Sequence, residues 1–485
     1  MDASGELHHP KIKNQTELEI FRHQAVGMVR EVVPELSAHV RMTTFQWGLF
    51  GVCITNLLWI TAMFPAVIIS AFVAGFSAFC LFATLLRVWL VIAAIGRGQP
   101  SKKAPTSSPP QNTPQNMPMI TILLPLYKEA NCLPGLIKEI EKLNWPGHQL
   151  DVKLLLEADD RATIEVATWN CPDQGWEIMI IPEGGPKTKP KACNYGLLHA
   201  KGEYIVIYDA EDRPEPDQLK LAVAGFEQGD EKLACLQARL NFYNPNETWV
   251  TRLFTLEYTL LFDWLLPGFA RLGAPIPLGG TSNFFKTDIL RRCGGWDAFN
   301  VTEDADLGLR LDAAGFATDV FNSTTWEEAV SDLGPWLRQR SRWIKGYLQT
   351  WLVHCRHRQI GFRRLGWQNA LTTHLFMGGV ILSALANPIF LALWFAIVLG
   401  LVPGIGALTS GLLTFCAIIQ IGLLAFAAQR RGWIYLMPAA LLAPLYWLAQ
   451  SLAGYKAFWQ FFINPFYWEK TDHACVQIFK DETIT

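Results

Sequence analysis

Charged residues are scarce in this chain of 485 residues: they make up 17% of it, whereas hydrophobic residues make up 51%. Soluble globular domains are usually about 25% charged, so the deficit predicts segments that lie in a membrane. The formal net charge is −2, and the chain has no basic tail or block rich in lysine and arginine. These features exclude nucleic acid as an expected partner.

Metal-binding cysteine patterns and a signal peptide are also missing. The ten cysteines form no C-x-x-C pair, which excludes the usual zinc-site spacings. Residues 1–43 mix acidic and basic side chains and contain two prolines. We therefore predict a retained cytosolic leader with a short amphipathic helix near residues 17–33.

Long apolar runs flank the middle of the chain. Two spans are predicted within residues 44–96, the second ending near Arg87, whose long stem can snorkel to the interface. About four more are predicted within residues 366–455, followed by a cytosolic tail, 456–485. Their apolar runs are 371–386, 388–402, 407–428 and 433–452.

Two topologies fit the apolar runs of the second half. The runs before and after Asn387-Pro388 fit either a tight hairpin or one long kinked helix. Six spans place Arg430 and Arg431 outside, against the positive-inside rule, whereas five place the tail outside. We expect about six, because the tail looks functional.

An α/β domain is predicted for residues 119–365, after a proline-rich linker, 97–118. Strands alternate with helical segments, which indicates a doubly wound, mostly parallel sheet with its ligand site at the carboxyl ends of the strands. Positive charges on both sides of the domain place it in the cytoplasm. The expected strands are 119–125, 150–157, 177–182 and 204–209.

Acidic and basic side chains follow these strands. Asp209 and Glu211 end the fourth strand and are spaced to share Mg²⁺ or Mn²⁺, with Asp212 as a substitute ligand. Alone, such a turn is more often a solvated loop or a helix cap. A basic segment, 187–191, precedes it and is suited to a phosphate; the alternative is an ordinary basic turn.

Two further positions suggest a nucleotide site. Tyr127 and Glu129, just after the first strand, and Asp159, after the second, are expected to bind the donor. Tyr127 can stack on a nucleobase, and Asp159 can form a hydrogen bond with one. Either residue could equally be part of the surface structure.

Thr302-Glu303-Asp304 and Gln339-x-x-Arg342-Trp343 complete the set. Asp304 can deprotonate an attacking hydroxyl, although the same triplet can also cap the helix that follows. Trp343 can stack on a sugar ring while Gln339 and Arg342 bind hydroxyls or a diphosphate. The alternative is that the arginine and tryptophan only anchor a membrane interface.

The order of these motifs resembles that of the processive family-2 glycosyltransferases with a GT-A fold, such as cellulose, hyaluronan and chitin synthases and bacterial β-glucan synthases. The resemblance implies that Tyr127 and Asp159 bind uridine, Lys191 lies near the diphosphate, and Asp209 with Glu211 occupies the D-x-D place. It also implies that Asp304 is the base and that Thr302, Glu303, Gly280, Thr281, Gln339, Arg342 and Trp343 surround the acceptor.

Two departures from that family stand out. The second D-x-D position is Glu211, and the family's usual gating loop is missing between the spans. Trp468, Lys470 and Thr471 belong to a segment similar to one in some bacterial members, which could fill the gating role or be an interface-bound or disordered tail. A cyclic-di-GMP module is not apparent.

The expected function is therefore that of an inverting, metal-dependent hexosyltransferase in a bacterial inner membrane. It would polymerise a β-linked glycan from a UDP-sugar, UDP-glucose first and a UDP-hexosamine next, onto a growing chain. The product would leave through the spans, with a periplasmic or outer-membrane export partner where one is needed. The alternatives are transfer of one sugar to a lipid and a receptor with a degenerate transferase domain.

Overall fold

We describe the chain from a computed structural model, which covers residues 15–96, 117–172, 174–356, 366–400, 407–467 and 469. The expected linker 97–118 lies almost entirely outside these residues, and Trp468, Lys470 and Thr471 lie outside them as well.

An eight-stranded sheet forms the centre of the described part of the middle domain, in the order β3-β2-β1-β4-β7-β6-β8-β5. The strands are β1 (Ile120–Leu126), β2 (Leu150–Glu157), β3 (Trp176–Ile181), β4 (Tyr204–Ile207), β5 (Arg213–Pro214), β6 (Leu233–Phe242), β7 (Asn283–Lys286) and β8 (Ala317–Glu327).

The first four strands are parallel, as predicted from the alternation of apolar runs and helical segments. β1 and β2 are buried along almost their whole length, as expected for parallel strands that helices cover on both faces. Beyond β4 the sheet becomes mixed, because β7 runs antiparallel to both β4 and β6, and β5 antiparallel to β8. The prediction of a mostly parallel, GT-A-like sheet is confirmed.

Helices cover the sheet and continue into long apolar segments. Within the domain they are α4 (Leu133–Glu141), α5 (Arg161–Asn170), α6 (Lys189–Leu198), α7 (Gln218–Gln228), α8 (Trp249–Leu260), α9 (Leu266–Arg271), α10 (Thr287–Arg292), α11 (Glu303–Ala313) and α12 (Leu333–Cys355). Before and after it come α1 (Gln15–Val32), α2 (Thr44–Met63), α3 (Pro65–Gly96), α13 (Gly366–Val398), α14 (Ala407–Arg431) and α15 (Ala443–Ile463).

Five helical segments in the described ranges are long and apolar enough to cross a membrane, so this is a membrane protein. The described residues thus contain five candidate spans where about six were expected, because the runs on either side of Asn387-Pro388 form one helix, α13. Apolar surroundings tolerate a proline inside a helix when neighbouring groups bind the freed carbonyl. α3 likewise continues past Arg87, which lies on the wall of an internal cavity.

The residues on both sides of the last candidate span, Ile434–Ile463, contact the α/β domain. Just before it, the Arg431 guanidinium pairs with Asp263 at 2.7 Å. Just after it, the Lys345 ammonium on α12 donates to the Tyr467 carbonyl at 2.7 Å. This segment therefore runs along the domain and returns to it.

Candidate active site

The carboxyl ends of β1, β2 and β4 open into one cavity of about 880 Å³. The parallel strands end at the same edge of the sheet, which brings side chains that are far apart in sequence together there. The lining residues from this edge include Tyr127, Glu129, Lys187, Asp209 and Glu211. The edge of the sheet at which the sequence predicts a ligand site therefore opens into a cavity.

Tyr127 and Asp159 are in direct contact at this edge. The Tyr127 hydroxyl donates to the Asp159 carboxylate at 3.3 Å, and the Lys187 ammonium lies 2.6 Å from the same carboxylate. The hydrogen bond from Lys187 holds the pKa of Asp159 below its ordinary value. Asp160 has a structural role instead, because its side chain accepts from the Thr163 N–H at the start of α5.

Lys189, rather than Lys191, is the lysine that faces the acidic turn. The Lys191 side chain is fully buried, and its ammonium contacts Glu157 at 2.8 Å and the Gly184 carbonyl at 3.2 Å. Lys191 therefore pairs with Glu157 and not with the acidic turn, and its expected position near a diphosphate stays a prediction. Lys189 lines the cavity, pairs with Asp209 and donates to the Gly280 carbonyl at 2.7 Å.

Neighbouring carboxylates stabilise the protonated form of Lys189. Burial works against the charged ammonium, but the carboxylates of Asp209 and Glu303 outweigh it and raise the pKa of Lys189 above its ordinary value. Lys189 therefore stays protonated at neutral pH and connects the strand-end acids to the acids at the start of α11.

Asp209 and Glu211 line the cavity, whereas Asp212 turns inward. The Asp212 carboxylate is buried and accepts from the Asp209 N–H at 2.7 Å and from the Thr281 hydroxyl. One oxygen of Asp212 therefore supports the turn, and its part as a substitute metal ligand stays a prediction. Thr281 supports the same turn, since its hydroxyl also donates to the Ile207 carbonyl at 3.1 Å. It also lines the cavity, and its binding of the acceptor stays a prediction.

Glu327, at the end of β8, is a cavity residue that the sequence analysis missed. Burial and the nearby carboxylates of Asp212, Glu211 and Asp209 raise its pKa well above the ordinary value. No motif marks it, because β8 comes far later in the chain than the D-A-E-D turn.

No group of three or more His, Cys, Asp or Glu side chains lies close enough to hold a metal within the described residues. The donor set nevertheless suits a hard cation. Asp209, Glu211 and Glu327 present carboxylate oxygens to one cavity, and one oxygen of buried Asp212 has no partner among the residues that the structure describes. A divalent cation would relieve this excess of negative charge.

Asp304 projects from the first turn of α11 into the same cavity. Its carboxylate accepts from the Ala305 N–H at 2.7 Å, and burial raises its pKa. Burial and the neighbouring Asp304 raise the pKa of Glu303 to about 7. Thr302 makes no side-chain cap, and within the described part of the chain its buried hydroxyl has no partner, so the helix-capping alternative is wrong for Thr302.

Gln339, Arg342 and Trp343 lie on α12 and line the opposite wall. Trp343 stacks on Tyr258 with ring centroids 6.1 Å apart and planes inclined by 27°. Burial lowers the pKa of Arg342, while Glu303 and Asp304 act in the opposite sense. The pieces of the Q-x-x-R-W motif therefore face the T-E-D acids across one space, which a simple membrane anchor would not require.

Beyond Trp343 the cavity continues between α3, α13, α14 and α15. A buried polar cluster marks the passage: Arg340 pairs with Glu257 and donates to the Tyr446 hydroxyl at 2.9 Å, and Tyr446 donates to Glu257 at 2.7 Å. Further along, Arg87 donates to Gln420 at 2.7 Å. Polar groups therefore line part of the space between helices that are otherwise apolar.

Comparison with known proteins agrees with this arrangement. Residues 204–468, more than half of the chain, match the family described as "Glycosyl transferase family group 2". The chain is 27% identical over 239 residues to "Probable glycosyltransferase YdaM" of Bacillus subtilis, which covers 48% of this chain and 56% of that protein. It is 28% identical over 210 residues to "Glucomannan 4-beta-mannosyltransferase 7" of Arabidopsis thaliana, covering 41% and 37%. The chain thus spans about half the length, or less, of these relatives.

Among solved structures, the fold is similar to that of the mannosyltransferase PcManGT from Pyrobaculum calidifontis, solved with GDP-Man and Mn²⁺. The TM-score is 0.52 at 19% identity, and the similarity covers 79% of this chain and 99% of the other. This likeness concerns the fold alone. Together with the family match, it shows that the chain belongs to glycosyl transferase family group 2 and carries a GT-A-like domain flanked by helices long and apolar enough to span a membrane.

Proposed function

We propose that the protein is an inverting glycosyltransferase that polymerises a β-linked polysaccharide from a nucleotide sugar and passes the chain between its own helices. The cavity carries this proposal, because it joins Asp209 and Asp304 to Trp343 and then continues between α3, α13 and α14. A soluble acceptor would need only the opening at the sheet edge. A growing chain needs a path away from the site, and the polar groups beyond Trp343 suit a polyhydroxylated product.

In this proposal, Tyr127 and Asp159 bind the nucleobase and Lys189 binds the diphosphate. The acceptor hydroxyl, held against Trp343, attacks C1 of the donor sugar from the face opposite the leaving group. Its proton passes to Asp304, the bond between C1 and the phosphate oxygen breaks, and the nucleoside diphosphate leaves. The raised pKa of buried Asp304 makes it a better proton acceptor than an exposed aspartate.

Asp209 and Glu211 are the residues that would hold Mg²⁺ or Mn²⁺, and Glu327 lines the same cavity. Such an ion, when bound, would neutralise charge on the diphosphate leaving group. Arg342 faces Glu303 and Asp304 from α12 and orients the acceptor side.

The contacts of the last candidate span suggest a topology. If residues 434–463 lie along the membrane surface, α2, α3, α13 and α14 cross the bilayer and both termini stay on the side of the catalytic domain. Arg430 and Arg431 then lie on that side too, in agreement with the positive-inside rule. Exposed Leu452 and Trp459 give α15 an apolar face for the bilayer, opposite the buried Tyr446. We propose the cytoplasmic side of a bacterial inner membrane for the domain.

The first residues after α15 are hydrogen-bonded to α12. Gln349 on α12 donates to the Pro465 carbonyl at 2.9 Å and accepts from the Val301 N–H at 3.2 Å, next to the T-E-D triplet. A gating role for Trp468, Lys470 and Thr471 stays a prediction, as does an export partner.

Replacing Gly346 on α12 by alanine should displace the proposed base, Asp304. Gly346 lies so close to Thr302 that a Cβ there would overlap the threonine side chain, and the displacement would shift Glu303 and Asp304. Since a shift of about 1 Å in a reacting group can cost on the order of 100-fold in rate, we expect Gly346→Ala to lower turnover by about that factor. Gly334→Ala on the same helix meets nothing within 4 Å and should leave turnover unchanged; equal losses in both variants would contradict the account.

A donor screen tests the proposed function. Purified protein with Mg²⁺ or Mn²⁺ should release nucleoside diphosphate from UDP-glucose first, then from UDP-hexosamines; GDP-mannose belongs in the screen because of the relatives' names. Sizing of the labelled product should give a long glycan. A lipid-soluble product that carries one sugar would contradict polymerisation and support the transfer of one sugar to a lipid. If no nucleoside diphosphate is released from any donor, the receptor with a degenerate transferase domain would be favoured.

A further inference from the structure

The segment before the first apolar helix is docked onto the catalytic domain. α1 packs against α6, where the Asn194 side-chain amide donates to the Ala25 carbonyl at 2.8 Å and to the Trp296 carbonyl at 2.7 Å. Ala25 and Val29 are 0% and 2% exposed. The segment is therefore part of the domain and not a loose leader.

Two glycines allow α1 to approach this closely. Gly184 has φ +148°, and a Cβ at this position would overlap the Arg22 guanidinium. Gly294 has φ +80°, and a Cβ there would lie 3.0 Å from the Met28 carbonyl oxygen. Both glycines adopt a backbone conformation that side chains disfavour, and both face the same helix.

Arg22 connects α1 to the loop that precedes α6. Its guanidinium donates to the Glu183 carbonyl at 2.6 Å, and Glu19 holds it from one turn earlier at 2.6 Å. The loop, residues 183–188, then carries Lys187 to Asp159 and ends at Lys189 in the cavity. A restraint at Glu183 therefore acts on the two lysines of the proposed donor site.

The other end of the segment contacts the acceptor side. Ser37 and Ala38 bind Asp297 through a hydroxyl at 3.2 Å and a backbone N–H. Arg356, just past α12, donates to the Ser37 carbonyl at 3.3 Å and the Arg41 carbonyl at 2.8 Å. Residues 15–41 thus link the donor loop to the helix that carries Trp343.

We propose that residues 15–41 are a brace that holds the donor loop in its binding conformation, with Arg22 as a positioning residue for the nucleoside diphosphate of the donor. The proposal rests on the proposed function. A loop that is ordered before binding loses less conformational freedom when the ligand arrives, so the brace raises donor affinity without touching the donor. A charge-assisted hydrogen bond to a carbonyl is strong enough for this purpose.

The test compares Arg22→Ala with Arg22→Lys and with Arg30→Ala, an exposed arginine on the last turn of the same helix. Arg22→Ala should raise the KM for the donor about tenfold while kcat stays within about twofold, because it removes one charged hydrogen bond that acts on binding. Arg22→Lys should restore part of the affinity, and Arg30→Ala should match the wild type. Amide hydrogens of residues 183–188 should exchange faster in Arg22→Ala only.

Unchanged donor KM with unchanged exchange in the loop would overturn the brace. So would a loss of kcat and thermal stability at constant KM, which is what a merely structural arginine would give. If Arg22→Ala does not fold, Glu19→Gln removes the carboxylate that holds Arg22 and should raise KM in the same direction by a smaller factor. Absence of turnover in the wild type would refute the proposed function, whereas the exchange experiment would still decide the brace.

Discussion

Asp304→Asn should lower kcat by about 10³-fold, within the range of about 10² to 10⁴ that a positioned general base contributes. Asparagine keeps the size of the side chain and can still accept from the Ala305 N–H, but it cannot take the proton of the acceptor hydroxyl. Affinity for the nucleoside diphosphate, measured by calorimetry, should change little, because the nucleotide contacts lie at the strand ends.

The matched control is Asp312→Asn, near the other end of α11. Burial raises the pKa of Asp312 to about 7, so asparagine replaces a carboxyl that is already partly protonated at neutral pH. Asp312→Asn should turn over at the wild-type rate. Retention of activity in Asp304→Asn would show that another group is the base, and Glu303, with its pKa near 7, would be the first candidate.

Asp209→Asn should lower turnover by about 10²-fold or more, because a preorganised charge at the leaving group is commonly worth that factor. The substitution also removes the carboxylate that pairs with Lys189. Binding of Mn²⁺ by the protein with bound nucleoside diphosphate, followed by electron paramagnetic resonance, should weaken in parallel. Glu211→Gln should weaken it too if both residues hold the ion.

Asp217→Asn serves as the control for Asp209→Asn. Asp217 is an exposed carboxylate that pairs with Lys220 at 3.0 Å on the surface of the domain, and its loss should affect neither turnover nor Mn²⁺ binding. If Asp209→Asn binds Mn²⁺ like the wild type and keeps its rate, the D-x-D role of this turn is wrong.

The first half of the sheet followed from the sequence because its strands are apolar runs with helical segments between them. β6 to β8 did not, since polar Gln237 and Asn241 are fully buried within β6 and β7 has only four residues. Their burial depends on partners contributed by distant segments, for example the Thr259 hydroxyl that accepts from Asn241 at 3.0 Å. Periodicity cannot reveal such pairings.

The site shows the same division. Asp209, Asp304 and Trp343 belong to motifs whose spacing can be read from a single sequence. All three line the cavity. Lys189 and Lys191 are two positions apart at the start of α6. The packing of that helix decides that Lys189 pairs with Asp209, whereas Lys191 pairs with Glu157. Glu327 has no motif at all. The length of α13 was open for a similar reason, because Asn387-Pro388 fits both a turn and a kinked helix.

The central claim is that one passage leads from the T-E-D acids and Trp343 into the space between the apolar helices. The most direct test is a cryo-EM reconstruction of the protein after incubation with its donor and divalent metal. The account predicts glycan density that starts beside Trp343, passes Arg340 and Glu257, and continues between α3 and α14. Density that leaves Trp343 toward the aqueous face of the domain, with lipid filling the space between the helices, would contradict it.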